Sequence, residues 1–302
     1  KLGLDTGCQY GTILCHLLNA RIMHEMQRRK EANEHLTEAL RLAELTHIRH
    51  LLFHALMLEA RIALDQDHKE AGLASLRKAL ALGREIGLYH NMIDSRSSIA
   101  RLLAIALEHG IEEAYATEYI RKRRLTPDPP PVHLEHWPWP VKIYTLGSFK
   151  LLRDDQPVKF SQKAQRRPLA ILQAIIAFGG RDVREEALTD TLWPEAEGDL
   201  AHQSYATTLH RLRRLIDLPD AIARRENRVT VDPRYCWVDI WAFEGLLDKA
   251  DAAWATGGED EEYLDAIETT NKAVDLYAGP FLATEGSLPW CLPSGSACEV
   301  AF

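Results

Sequence analysis

An offset of 40 residues lays one part of this chain on another without a gap. Residues 18–48 align with 58–88: Ala20-Arg21-Ile22 recurs as Ala60-Arg61-Ile62, Leu36 as Leu76, Ala39-Leu40 as Ala79-Leu80, and Leu42 as Leu82. Each copy holds two helical patterns, LLNARIMHEM then HLTEALRLAEL in the first, LMLEARIALD then SLRKALALGREI in the second. Two amphipathic helices cannot bury their apolar stripes within one copy, so copies have to stack into an α-solenoid. The alanines at fixed points (Ala20, Ala39, Ala60, Ala79) leave room for helices to approach closely.

A weaker third pair, SSIARLLAIALEHG and EEAYATEYIRKRR, extends the pattern, so residues 1–125 are expected to be TPR-like helical repeats. So few repeats suggest the C-terminal part of a longer solenoid. Concave solenoid surfaces bind proteins, peptides or small effectors, and no residue here says which. His47, His50 and His54 are expected on one side of a helix, with His50/His54 at the i, i+4 spacing of a helical metal pair. No Glu or Cys accompanies them in a metal-site order, and inter-helix hydrogen bonds or solvated imidazoles are the simpler reading.

Residues 126–140 break the helical pattern. Prolines in TPDPPPVHLEHWPWP favour stiff extended chain, a linker that few contacts should cross. RKRR, just before it, suits the end of a helix, where it complements the dipole. Trp137 and Trp139 are expected to pack against a domain edge.

From Val141 the period changes to strands: VKIYTLG, SFKLLRD and PVKF, with Asp154-Asp155-Gln156 turning between the last two. RRPLAILQAIIAFGG then predicts a helix that begins near Gln165–Arg167, because Pro168 is tolerated only in a first turn, and ends at Gly179-Gly180. VREEALTDTLWP predicts a short second helix stopped by Pro194. In DLAHQSYATTLHRLRRLI, at about 100° per residue, Tyr205, Leu209, Leu212 and Ile216 form a core-facing stripe. Gln203, Thr207, His210, Arg211 and Arg214 gather opposite, with Ser204, Thr208 and Arg213 on the shoulders. No acid interrupts them between Leu200 and Ile216, and all are donors for base edges or phosphates. AIARRENRVTVD predicts a basic hairpin with Glu226-Asn227 near its tip. Helix, connection, basic helix and basic hairpin make the pattern of a winged helix-turn-helix over residues 141–240.

The chain's net charge of −8 argues against nucleic-acid binding over the whole surface, so the basic stretch reads as a head on an acidic body. Five scattered cysteines (Cys8, Cys15, Cys236, Cys291, Cys298) show no metal-ligand spacing and favour a reducing, cytoplasmic setting. No apolar run approaches a membrane span, and the chain opens on Lys rather than Met, as an internal piece of a longer protein would. There is no phosphate loop, nucleophile–base set or metal cluster, so neither an enzyme nor a cofactor is expected.

The run LGSFKLLRDDQPVKF, LWPEAEGD, LHRLRRLI and RYCWVDIWAFE resembles the OmpR-type winged helix of SARP-like regulators. WAFEGLLDKAD through YLDAIETTNKAVDLYAGPFLATE and PW resembles the opening of the bacterial transcriptional activator domain that follows it in that group. The 40-residue repeats resemble the solenoid of MalT-like regulators. The resemblance implies a mainly α chain with a small α+β module: a TPR-like solenoid, an OmpR-type winged helix, and the start of a helical, truncated activator domain over residues 241–302. It implies a four-stranded sheet over Val141–Phe160, and base-facing positions at Ser204, Thr207, Thr208 and Arg211, to which the helical wheel adds Gln203. Trp193 and Arg213 are expected near the DNA backbone together with Arg214, and Arg224, Arg225 and Arg228 on a wing. WPEAEGDL is a candidate polymerase-contacting loop. The tail SLPWCLPSGSACEVAF departs from the pattern, lacking the expected charged helix.

The expected function is therefore sequence-specific transcriptional regulation on double-stranded promoter DNA. RNA polymerase, an effector on the repeats and a second copy are further partners. The competing reading is an interaction scaffold in which the winged helix docks protein and binds no DNA.

Overall fold

The computed structural model describes residues 9–159, 166–196, 198–256 and 260–283. They are mainly helical with a small sheet region and fall into two compact units, divided within residues 131–139.

The first unit contains three helix pairs: α1 (Gln9–Glu25) with α2 (Arg29–Leu45), α3 (Arg49–Asp65) with α4 (Lys69–Ile86), and α5 (Arg96–Glu108) with α6 (Glu113–Arg123). The starts of α1 and α3, and of α2 and α4, differ by the 40 residues of the sequence repeat. The backbone repeats at half that interval. Gln27, His47, Asp67 and Gly87 all take left-handed φ, between 56° and 63°. Three of these breaks close alike, the next amide reaching back over the last turn: Arg28 to the Met23 carbonyl at 2.8 Å, His68 to Ala63 at 2.9 Å, Leu88 to Gly83 at 2.9 Å.

Ala20, Ala39, Ala60 and Ala79 are wholly buried, as their recurrence predicts. Ile13, Leu17, Leu36, Leu51, Leu58 and Ile62 form a core shared by the first two pairs. The repeated arginines converge on the α4–α5 connection. Arg21 donates to the Ile93 carbonyl, and the buried Arg61 donates to Asp94 at 2.7 Å and to Glu25. His47 is corrected: it sits exposed in the α2–α3 turn, off the helix that carries His50 and His54. His54 is fully buried, and neither ring nitrogen has a hydrogen-bond partner. Burial, with His90 and His50 beside it, pushes its imidazole down to about 4.

The second unit is built on β1 (Val141–Tyr144), β2 (Lys150–Arg153), β3 (Gln156–Pro157), α7 (Arg166–Ala177), β4 (Val183–Arg184), α8 (Glu185–Leu192) and α9 (Gly198–Ile216). After a 3-10 turn at Pro219–Ala221 come β5 (Ile222–Arg225), β6 (Arg228–Val231), β7 (Cys236–Val238), α10 (Asp239–Thr256) and α11 (Asp260–Leu276). α7 starts where Pro168 requires. At its end the Gly180 amide reaches the Ile175 carbonyl at 2.8 Å, with Gly179 and Gly180 both at positive φ. A Cβ on Gly180 would lie 2.2 Å from the Trp241 ring, so backbone and packing both demand glycine there.

The sheets differ from expectation in two respects. The four-stranded sheet runs β3-β2-β1-β7, so Val141–Pro157 supplies three strands and the fourth returns from Cys236–Val238, parallel to β1. Phe160, the expected end of that sheet, lies outside the described residues. Val183 and Arg184, expected in a helix, form β4 instead and pair with Val229 and Arg228, giving a second sheet β4-β6-β5.

Ile171, Leu172, Ile175, Leu188, Tyr205, Leu209, Leu212 and Ile216 form one core with Val229, Val231 and Val238. Ile240, Trp241 and Phe281 pack against it, so the residues on either side of the expected 240/241 boundary share a core. The buried Asp239 carboxylate stands at the start of α10. It accepts from the Ile240 amide, from the Thr145 amide and hydroxyl at 2.7–2.8 Å, and from the Leu146 amide at 2.8 Å. Burial pushes this carboxyl above the ordinary aspartate value, against the pull of those donors. Beyond α11 the chain comes back to the same loop: Gly147 donates to the Pro280 carbonyl and Leu282 to that of Thr145. Part of the expected linker also belongs to this unit, where Trp139 donates to the Leu134 carbonyl and Trp237 to that of Val132, both at 2.8 Å. Trp137 is buried. No helix among the described residues is long and apolar enough to cross a membrane.

Candidate nucleic-acid interface

The surface of α9 follows from what its other face buries. Tyr205, Leu209, Leu212 and Ile216 are each 3% exposed or less, which fixes the helix's rotation about its axis. Gln203, Thr207, His210, Arg211 and Arg214 are thereby exposed, with Ser204 half-buried. Thr208 departs from its expected base-facing role: it is 6% exposed and its hydroxyl donates to the Ser204 carbonyl at 2.7 Å. A small β-branched residue on the shoulder of the apolar stripe satisfies its hydroxyl on the preceding turn.

Arg213 is expected near phosphate. Its guanidinium instead reaches the Ile222 carbonyl through Nε at 3.1 Å and Nη2 at 2.7 Å, tying α9 to the start of the β5–β6 hairpin. Trp193 is half-buried at the end of α8. Its ring meets Tyr205 edge-on at 6.5 Å, and the Arg167 guanidinium lies over its outer face at 5.6 Å.

The hairpin turns through Glu226 and Asn227, both at positive φ, the conformation of a two-residue turn that matches strand twist. The Asn227 carbonyl accepts from the Glu185 amide at 3.0 Å, which holds the tip against the start of α8. The three basic residues then divide. Arg224 is bound in a two-pronged ion pair to the buried Glu185 carboxylate, with Nη2 2.8 Å from Oε2, and that bond raises its guanidinium further above its already high value. Arg228 donates one Nη to the Asp182 carbonyl at 2.9 Å and stays exposed. Arg225 is exposed and forms no ion pair among the described residues, although its charge is felt by Asp232.

One exposed surface therefore carries Gln203, Ser204, Thr207, His210, Arg211 and Arg214 on α9. Thr208, Arg213 and Arg224 are engaged within the protein. Sequence reasoning missed the Glu185–Arg224 tie, since acids in a helix's first turn are usual and nothing marks one as a partner 39 residues away. It also missed Lys159 and Arg167, which stand exposed beside the C-terminal half of α9. No group of three or more metal-ligating side chains occurs among the described residues. No protein-family model matches the chain, and no curated protein matches it.

Proposed function

We propose that this chain is a sequence-specific DNA-binding transcriptional regulator in which residues 141–240 form an OmpR-type winged helix-turn-helix. α9 is its recognition helix and β5–β6 its wing. The observation that carries this reading is the exposed arc of α9: amide, hydroxyl, imidazole and guanidinium donors, uninterrupted by acid from Leu200 to Ile216, on a helix anchored by four buried apolar residues. Such donors suit the acceptor-rich edges of the major groove. The helix pairs of the first unit fit a TPR-like arm for an effector or partner, and α10–α11 fit the opening of an activator domain for self-association or polymerase contact.

The scaffold reading draws on the engagement of Arg213 and Arg224, which leaves the surface less basic than the sequence suggests. A gel shift of the full chain on promoter fragments over a salt series separates the two. Binding that weakens steeply with salt supports the regulator. No shift on any fragment at about 50 mM salt, a concentration that favours nucleic-acid binding, removes it.

A further inference from the structure

Several cations of the second unit are held by carboxylates. Arg153 is paired with Asp217, Arg224 with Glu185, Arg234 with Asp232 and Lys142 with Asp155. Lys159, Arg167, Arg211 and Arg214 are exposed and have no carboxylate partner among the described residues. These four line one open groove, bounded by β2–β3, the start of α7 and the C-terminal half of α9, where Asp154 is the one acid among the described residues. Arg167 is held at the rim by the Trp193 ring, which is itself packed on Tyr205.

The groove's side of α9 matters. At about 100° per residue, Arg213 lies on one flank of the helix's exposed arc, and Thr208, Arg211 and Leu215 lie on the other. The hairpin occupies the first flank, through Arg213 and the Ile222 carbonyl, and the groove occupies the second. A helix seated in a major groove is bordered by a phosphate backbone on each side. The hairpin offers Arg225 and Arg228 to one backbone; Lys159, Arg167 and Arg214 of the groove stand where the other would run.

We infer that this groove takes the phosphates of the DNA strand opposite the wing, with Lys159 and Arg167 joining Arg214 as backbone contacts. The inference rests on the DNA-binding reading and extends it to the β3–α7 side of the module. An acidic protein segment would suit the same charges, but α9's donors share a rim with the groove and favour one continuous duplex.

The test uses the full chain and a random-sequence duplex of about 30 base pairs, which needs no knowledge of the operator. The slope of log Kobs against log salt is measured from about 50 to 200 mM NaCl. The double variant Lys159→Gln/Arg167→Gln should lower the slope's magnitude by about 2, one contact each. Arg77→Gln/Lys78→Gln, an equal charge change on exposed residues of α4, should leave it unchanged. Lys159→Arg/Arg167→Lys should restore it. Thermal melts of the variants should stay close to that of the unaltered chain, because the Arg167 contact with the Trp193 ring is the one side-chain interaction they lose among the described residues. An unchanged slope in the Gln variant, while Arg225→Gln still lowers it, overturns the groove and leaves the DNA reading standing. No salt-dependent binding by the unaltered chain overturns both.

Discussion

Arg224 and Arg225 are neighbours in sequence whose charges do different work. Arg224 neutralises a carboxylate that is 2% exposed, so Arg224→Gln leaves Glu185 buried without its partner. The expected loss is about 2 kcal/mol, held down by the half-exposed guanidinium, and read as a lower melting temperature. Arg225→Gln should leave the melt alone and lower the salt slope of DNA binding by about 1. Equal melts for the two variants would mean that the Glu185 pair does not hold the hairpin. His54 offers a second residue-scale test. Its imidazole is held near 4 in the fold and titrates near 6.5 when unfolded, so the unfolded chain takes up the proton first. The stability this neutral burial supports is complete above about pH 6.5 and falls away as pH drops toward 4, by about 3 kcal/mol in all. Leu14 holds the equivalent place in the first repeat, so His54→Leu keeps an apolar residue there and should flatten that acid limb. A His54→Leu chain with the same pH-dependent melts as the original would refute this account.

Elements were legible in the sequence in proportion to their length. Helices of eight to nineteen residues print their period, and α5 to α9 fall close to where apolar spacing, Pro168, Pro194 and the Gly179-Gly180 pair put them, while α1 to α4 begin six to eight residues before the patterns that announce them. β4 has two residues and β7 three, too few for an alternation to register, and each exists because a distant partner strand supplies its hydrogen bonds. The left-handed turns at Gln27, His47, Asp67 and Gly87 were invisible for another reason: the conformation recurs while the side chain changes every time. Asp239 joins elements that sequence reading assigned to separate segments. Asp239→Ala strips the acceptor from the Thr145 and Leu146 amides, and should cost about 2–4 kcal/mol. Its thermal melt gives the answer; a loss below about 0.5 kcal/mol, the scale of a surface substitution, would show that water replaces the carboxylate there.

At the scale of the whole molecule, the exposed arc of α9 was readable because a helical wheel needs only the chain's own period. The occupation of Thr208, Arg213 and Arg224 was not, because it depends on what packs beside them. A fragment that stops within α10 loses Phe281 from the core and Pro280–Leu282 from the β1–β2 loop, so residues 132–283 are the unit expected to fold alone. The claim that most depends on α9 is that it chooses bases and does not merely bind charge. Selection from a randomised duplex library by the full chain and by its Arg211→Ala variant tests it most directly. The account predicts a defined preferred sequence for the unaltered chain. It predicts that Arg211→Ala relaxes preference at one position and weakens preferred-site binding by about 1–3 kcal/mol, with little change on random DNA. Equal losses on preferred and random duplexes, with every position of the preference retained, would contradict it.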